Sequence, residues 1–267
     1  MTSKTKIVGI LNVTPDSFSD GGNFFAPELA LNQAKKMIEE GAEIIDIGAE
    51  STRPNATPLT DAQEWERLLP ILPSLMEFSK EHNVQVSVDT RHPSTTSKAI
   101  QLGVNWINDV SGCTDTQMIQ LIKENDVKIV VMHNLGVPVN PNIKIPNNIN
   151  AVDLILNWGK NKIAELMDKG ITSDKIIFDP GLGFGTTANQ SLEIIKSIDE
   201  FNKLNVPILV GHSRKSFLSL FTSKPFAERD LETCIVSAFL SSKDVDYIRV
   251  HNIIDNKRAI NIGKELF

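Results

Sequence analysis

Long hydrophobic runs are missing from this sequence, and without a stretch of about 18 apolar residues no ordinary membrane-spanning helix is expected. The opening MTSKTKIVGILNVTPDSFSDGG meets Pro15 and Asp16 before an apolar signal core forms, so the chain is expected to be soluble and cytoplasmic. Cysteine is scarce. Cys113 and Cys234 are the only two and form no CxxC pair, which excludes a disulfide framework and argues against metal binding through sulfur. Excess positive charge is also lacking: 27 Lys plus Arg stand against 33 Asp plus Glu, a net charge of −6. No global field gathers nucleic acid or anionic membrane, so neither is expected as a partner, and an anionic ligand must be held by a local cluster.

What is present is ordinary globular composition, 41% hydrophobic and 22% charged over 267 residues, enough for a sizeable core. Short Val- and Ile-rich runs recur at 7–12, 44–48, 84–89, 105–109, 128–133, 175–179, 207–211 and 247–251, nearly continuous in apolar character as strands buried on both faces are. Stretches of helical period separate them. Residues 27–40 place Ala30, Ala34, Met37 and Ile38 on one face before Gly41, and 150–168 do the same with Val152, Ile155, Leu156, Ile163, Leu166 and Met167. Eight strand–helix units predict a single (β/α)8 TIM barrel over 1–267, with no domain boundary and no internal sequence repeat.

A barrel gathers its chemistry at the C-terminal ends of its strands. Those ends carry Asn12, Glu50 with Thr52 and Arg53 beyond it, Asp89, Asn108 with Asp109, His133, Asp179, Ser213 to Lys215, and Arg249 with His251. One such residue reads as a cap or loop anchor; eight in succession do not. The segments after strands 1 and 2, 13–26 and 49–60, are long and rich in Gly, Pro and Ser, and read as mobile lids. The Asn/Pro-rich tract 134–149 reads instead as a solvated connector.

Several motifs are weaker than they look. GLGFGT at 181–186 has Thr186 where a dinucleotide fingerprint needs glycine, and it follows the sixth strand; its glycines are expected to let a flat ligand lie against backbone. GHSRK at 211–215 resembles a nucleophile elbow, but Lys215 stands at the second glycine position. His133, His212 and His251 show no metal-ligand spacing and are expected to be structural or anion-contacting, while His82 and His92 are expected to face solvent. Arg53, Lys215, Arg249 and His251 would converge at one mouth, where arginine suits the oxygens of a phosphorylated or diphosphorylated substrate. Asn12 suits a Mg²⁺ that arrives largely on that diphosphate. Asp89, Asn108 and Asp179 would satisfy a heterocycle presenting amino and ring N–H groups beside a carbonyl.

GILNVTPDSFSDGG at 9–22, GAESTRP at 48–54, SVDT at 87–90, INDVSG at 107–112, FDPGLGFG at 178–185, GHSRKS at 211–216 and RVH at 249–251 together resemble, in order, dihydropteroate synthase. The resemblance implies a barrel that joins 7,8-dihydropterin pyrophosphate to p-aminobenzoate in folate synthesis, with Mg²⁺, usually as a homodimer. By motif, Asp89, Asn108, Met132, Asp179, Phe184, Gly211 and Lys215 would hold the pterin. Asn12, Arg53, Arg249 and His251 would hold the diphosphate, and Asn12 the metal. Phe18, Thr52, Arg53, Pro54 and Ser216 would shape the p-aminobenzoate subsite. Catalysis would fall to Asp89, Lys215 and Arg53. The chain departs from the family at MHNLGVPVN after the fifth strand, at SSKDVD, and at Asn252 in place of a common Asp. A pterin-binding methyltransferase would share the barrel without needing the 9–22 and 48–54 segments, and a non-catalytic homologue would be expected to lose a diphosphate or lid residue.

Overall fold

The apolar runs become strands because both of their faces are covered, one by the barrel interior and the other by helices. In the computed structural model, which describes residues 5–14, 26–51 and 56–266, they are β1 (Lys6–Asn12), β2 (Ile44–Gly48), β3 (Gln85–Asp89), β4 (Trp106–Asp109), β5 (Lys128–Met132), β6 (Ile176–Asp179), β7 (Leu209–Val210) and β8 (Tyr247–Val250). All pair in parallel, in the order β6-β5-β4-β3-β2-β1-β8-β7. A single bridge from Phe178 to Ile208, with the Phe178 N–H donating to Pro207 O at 2.9 Å, closes β6 onto β7 and completes the ring. The fold is a (β/α)8 barrel.

The surrounding helices are α1 (Ala26–Glu40), α2 (Asp61–Leu68), α3 (Leu72–Glu81), α4 (Pro93–Gln101), α5 (Thr116–Glu124), α6 (Ala151–Asp168), α7 (Ala188–Lys196), α8 (Asp230–Ser242) and α9 (Ile253–Leu266). Their starts follow from the sequence. Thr60 with Gln63 and Thr187 with Gln190 form capping boxes, while Asp115 and Asn150 accept first-turn N–H groups. On α1 the expected face is buried as read. On α6 it is buried except at Met167, which is 49% exposed: the apolar stripe ends one residue earlier, at Leu166.

Two apolar cores result from the two faces of each strand. Ile7, Ile45, Ile47, Val86, Val88 and Ile107 point outward to the helices, whereas Val8, Ile44, Trp106, Val130, Ile177, Leu209 and Tyr247 fill the barrel floor. Each large aliphatic side chain so buried contributes roughly 1.5–3 kcal/mol. Trp106 meets Tyr247 edge-on, with ring centroids 4.8 Å apart, and its indole N–H donates to Gln85 Oε1 at 3.0 Å. Strand side chains alternate, so the residue two positions after each floor residue also points inward, one level nearer the C-terminal mouth. That step leads from Ile44 to Asp46, from Trp106 to Asn108, from Val130 to Met132, from Ile177 to Asp179, from Leu209 to Gly211 and from Tyr247 to Arg249. An apolar floor beneath a polar tier is thus written into the strands.

Two expectations about loops need correction or fall outside what is described. The tract 134–149 is not simply a solvated connector. Ile145 is buried in the outer core, its N–H donates to Gly185 O at 2.8 Å, and the Leu135 N–H reaches Phe184 O, so the tract is sewn to the segment after β6. The two segments read as lids fall largely at 15–25 and 52–55, outside the described residues.

Candidate active site

The polar tier above the floor is a charge cluster. Arg249 of β8 donates from Nη2 to Asp89 Oδ2 at 2.8 Å and from Nε to Asp46 Oδ2. That Asp46 oxygen also accepts the Asn108 Nδ2–H at 3.0 Å, while Asp46 Oδ1 is buried with no hydrogen-bond partner. Across the mouth, Asp179 takes the Gly181 N–H on Oδ1 at 2.7 Å. Lys215 donates to Leu182 O and lies over the Phe184 ring, 4.9 Å from its centroid.

Burial works against every charge here. It pulls the Lys215 ammonium down to about 8, helped by Arg249 and opposed by Asp179. Burial likewise pushes the Asp89 carboxyl well above its ordinary range, with Asp46, Glu64 and Asp109 adding repulsion and Arg249 opposing. Asp179 rises for the same reason, opposed chiefly by Lys215. Burial disfavours the Arg249 cation, yet Asp46 and Asp89 more than compensate and keep it charged. The mouth is therefore a desolvated set of acceptors and cations that a ligand with its own donors and negative charge would complete.

Two of the glycines after β6 are required by chain packing. Gly181 has φ +70, and a Cβ there would lie 1.8 Å from His133 O; a Cβ on Gly185 would strike Leu135 at 2.5 Å. Only Gly183, whose Cβ would meet Lys215 Cδ no closer than 3.9 Å, opens toward the mouth.

The remaining expected residues sort plainly. Asn12 ends β1 half-buried, in register with Gly48, and its side chain makes no hydrogen bond among the described residues. Met132 is buried, pairs in register with Asp179 and would touch a Cβ on Gly181. Gly211 is close enough that its Cβ would come 3.7 Å from Asp179 Oδ2. His251 Nδ1 stands 2.9 Å from Ser213 Oγ, and Ser216 is exposed at the start of a short 3-10 turn. Phe18, Thr52, Arg53 and Pro54 lie outside the described residues. His133 and His212 are structural: both are buried, and burial holds each imidazole at about 4, uncharged. His212 Nε2 bonds Ser237 Oγ at 2.8 Å, and His133 packs edge-on against Trp158. His82 is exposed as expected, but His92 is not solvent-facing; its Nε2 is buried. Glu50, at a strand end, turns out to anchor its loop through a bidentate pair with Arg91, at 2.9 and 3.0 Å.

Asp46 is the functional residue that reading strand ends missed. It sits mid-strand in IIDIG, and its signal is a lone carboxylate in a run otherwise buried on both faces, which requires a cationic or donor partner inside the barrel.

Fold and site define a class: a (β/α)8 barrel with a desolvated, mixed-charge mouth at the C-terminal ends of its strands. Residues 8–251 match the family described as "Pterin binding enzyme", and the chain belongs to that family. It is 38% identical over 258 residues to the dihydropteroate synthase of Clostridium beijerinckii, covering 96% of this chain and 92% of that one. It is 39% identical over 262 residues to the folate synthesis bifunctional protein of Chlamydia muridarum, covering 96% of this chain but 58% of that protein. The chain thus spans little more than half the length of such bifunctional relatives. Among solved structures, dihydropteroate synthase from Anaplasma phagocytophilum with bound 6-hydroxymethylpterin-monophosphate superposes with a TM-score of 0.91 at 37% identity, over 99% of this chain and all of that one. The resemblance read from seven motifs therefore extends over the whole barrel.

Proposed function

We propose that this chain is a dihydropteroate synthase, condensing 6-hydroxymethyl-7,8-dihydropterin pyrophosphate with p-aminobenzoate to give 7,8-dihydropteroate and pyrophosphate. The observation that carries the proposal is the tier of Asp46, Asp89, Asn108, Asp179, Lys215 and Arg249 around one mouth, in the motif order of the family. Asp179, Asn108 and Lys215 would read the amino-pyrimidinone edge of the pterin, with Met132, Phe184 and Gly211 against its ring. Arg249, His251 and Arg53 would take the diphosphate, and Phe18, Thr52, Arg53, Pro54 and Ser216 the p-aminobenzoate.

In the reaction the C–O bond to diphosphate breaks, the aromatic amine forms the new C–N bond, and its proton is lost to solvent. Asp89 would stabilise positive charge spread into the pterin ring as the diphosphate leaves, an electrostatic contribution of the kind usually largest in enzymes. Lys215 would neutralise charge between the two subsites. Asn12 offers an uncommitted amide oxygen at the mouth, which fits Mg²⁺ carried on the diphosphate; the ion would supply charge neutralisation to the leaving group.

A homodimer accords with the outer surface of α8 and α9, helices packed side by side with Gly263 against Ala238. There Leu231 and Ile235 are 64% and 63% exposed, and Ile254 and Ile262 lie open alongside. No helix among the described residues is long and apolar enough to cross a membrane, and neither cysteine is in a disulfide, consistent with a reducing cytoplasm.

A coupled assay for pyrophosphate release tests the function. Release should require both substrates together and be inhibited by a sulfonamide. Release from the pterin substrate alone, with no effect of p-aminobenzoate, would refute it.

A further inference from the structure

Behind the barrel mouth, between the segments that follow β2 and β3, lies a second cluster of charge. Glu50 holds Arg91 in a bidentate pair and accepts the Leu59 N–H at 2.8 Å. Glu64 of α2 is fully buried; its Oε2 accepts the Thr90 hydroxyl at 2.6 Å, but its Oε1 has no hydrogen-bond partner. His92 Nε2 is also buried without a partner, and the Thr95 hydroxyl, buried beside the Glu64 carboxyl, serves as a further weak donor to it. Beside a buried carboxylate held only by hydroxyls, an imidazole nitrogen buried with no partner is unusual, because buried polar groups are nearly always satisfied.

One ligating atom each from Glu50, Glu64 and His92 falls within 4.8 Å of the others. The charge balance points the same way. Glu50, Glu64 and Asp109 all act on Arg91, so three carboxylates face one guanidinium.

We infer that Glu50, Glu64 and His92 form a divalent-cation site, closed by the Thr95 hydroxyl, whose best occupant is Zn²⁺. An imidazole with two carboxylates suits zinc, whereas Mg²⁺ prefers oxygen ligands throughout and keeps its waters. Tetrahedral zinc with bonds of about 2.0–2.2 Å brings its ligand atoms to roughly 3.4 Å apart, so the side chains need close by up to about 1.5 Å. Glu50 Oε2 retains a lone pair beyond its bond to Arg91, whereas Oε1 is taken by Arg91 and the Leu59 N–H. The ion would tie the end of β2 to α2 and to the start of α4. This site shares no ligating residue with the mouth, though Glu64 bears on Asp89, and it does not rest on the synthase reading.

The experiment is calorimetric titration of Zn²⁺ into the full chain stripped of metal, with no pterin or pyrophosphate present, alongside thermal melting. The wild type should take up one equivalent and melt at a higher temperature with zinc. His92→Ala and Glu64→Gln should each weaken binding at least tenfold and abolish the thermal shift, while Cys234→Ser should change neither. His92 is half-buried and its side chain caps nothing, so that variant should melt like the wild type without metal. Failure of the wild type to bind one equivalent, unchanged affinity in His92→Ala, or loss of binding in Cys234→Ser would each overturn the assignment.

Discussion

Arg249 and Asp89 hold each other across the barrel mouth at 2.8 Å, and the same guanidinium is gripped from below by Asp46. Asp46 also fixes Asn108, so one mid-strand carboxylate orients a cation assigned to the diphosphate and an amide assigned to the pterin. A hydrogen bond to a charged group is worth about 1.5–3 kcal/mol, or roughly one to two decades in rate. Asp46→Asn should therefore lower turnover by about that factor while circular dichroism stays unchanged. Steady-state kinetics within twofold of wild type would mean that Arg249 needs no such support.

How far the sequence discloses this molecule depends on which signal is local. The strands were legible because each is a short Val/Ile run, and four floor residues, Ile44, Trp106, Ile177 and Tyr247, lead two positions on to the polar tier of Asp46, Asn108, Asp179 and Arg249. Asp46 was not, because a search at strand ends passes over a carboxylate inside IIDIG. His92 read as solvent-facing because its neighbours in sequence are polar; what covers it is Glu64, distant in sequence and brought near only by α2. The tract 134–149 read as solvated because its composition is polar, yet one isoleucine, Ile145, and two backbone bonds suffice to dock it.

Lys215 gives a pH signature. Burial holds its ammonium at about 8 in the folded chain against 10.5 ordinarily, so between those values the unfolded state binds more protons. Stability should then rise with pH across that window, and the burden on the fold is fully present below pH 8. Lys215→Met, which keeps the volume, should flatten this rise in denaturant titrations from pH 7.5 to 10.5. The same substitution should cut turnover by roughly two to three decades, the scale of a lost transition-state electrostatic partner. Ser213→Ala should be far milder; a dead serine variant beside an active lysine variant would revive acyl-transfer chemistry at GHSRK.

Gly181 and Gly183 share a left-handed backbone but differ in surroundings. At Gly181 a methyl group collides with His133 O, whereas at Gly183 it meets open space apart from Lys215. Gly183→Ala should cost about 1–2 kcal/mol, the strain of that conformation alone. Gly181→Ala should cost more than about 4 kcal/mol, or fail to fold, because backbone must move as well. Chemical denaturation of both variants decides it, and equal losses would mean that the contact with His133 is not what demands glycine.

Arg53 is assigned by motif to both the diphosphate and the p-aminobenzoate subsites, and that double duty predicts coupling between them. Pyrophosphate that fixes the Arg53 side chain would lower the ordering cost left for the second ligand. A sulfonamide mimic should bind weakly to the bare chain and at least tenfold more tightly with saturating pyrophosphate and Mg²⁺. Coupling free energy is reciprocal, so saturating sulfonamide must tighten pyrophosphate by the same factor, which gives an internal check. Arg53→Ala should remove the coupling in both directions, even if it also weakens each ligand alone. Titration calorimetry of the four combinations measures it. Equal sulfonamide affinity with and without pyrophosphate would show that the two subsites form independently and that Arg53 does not link them.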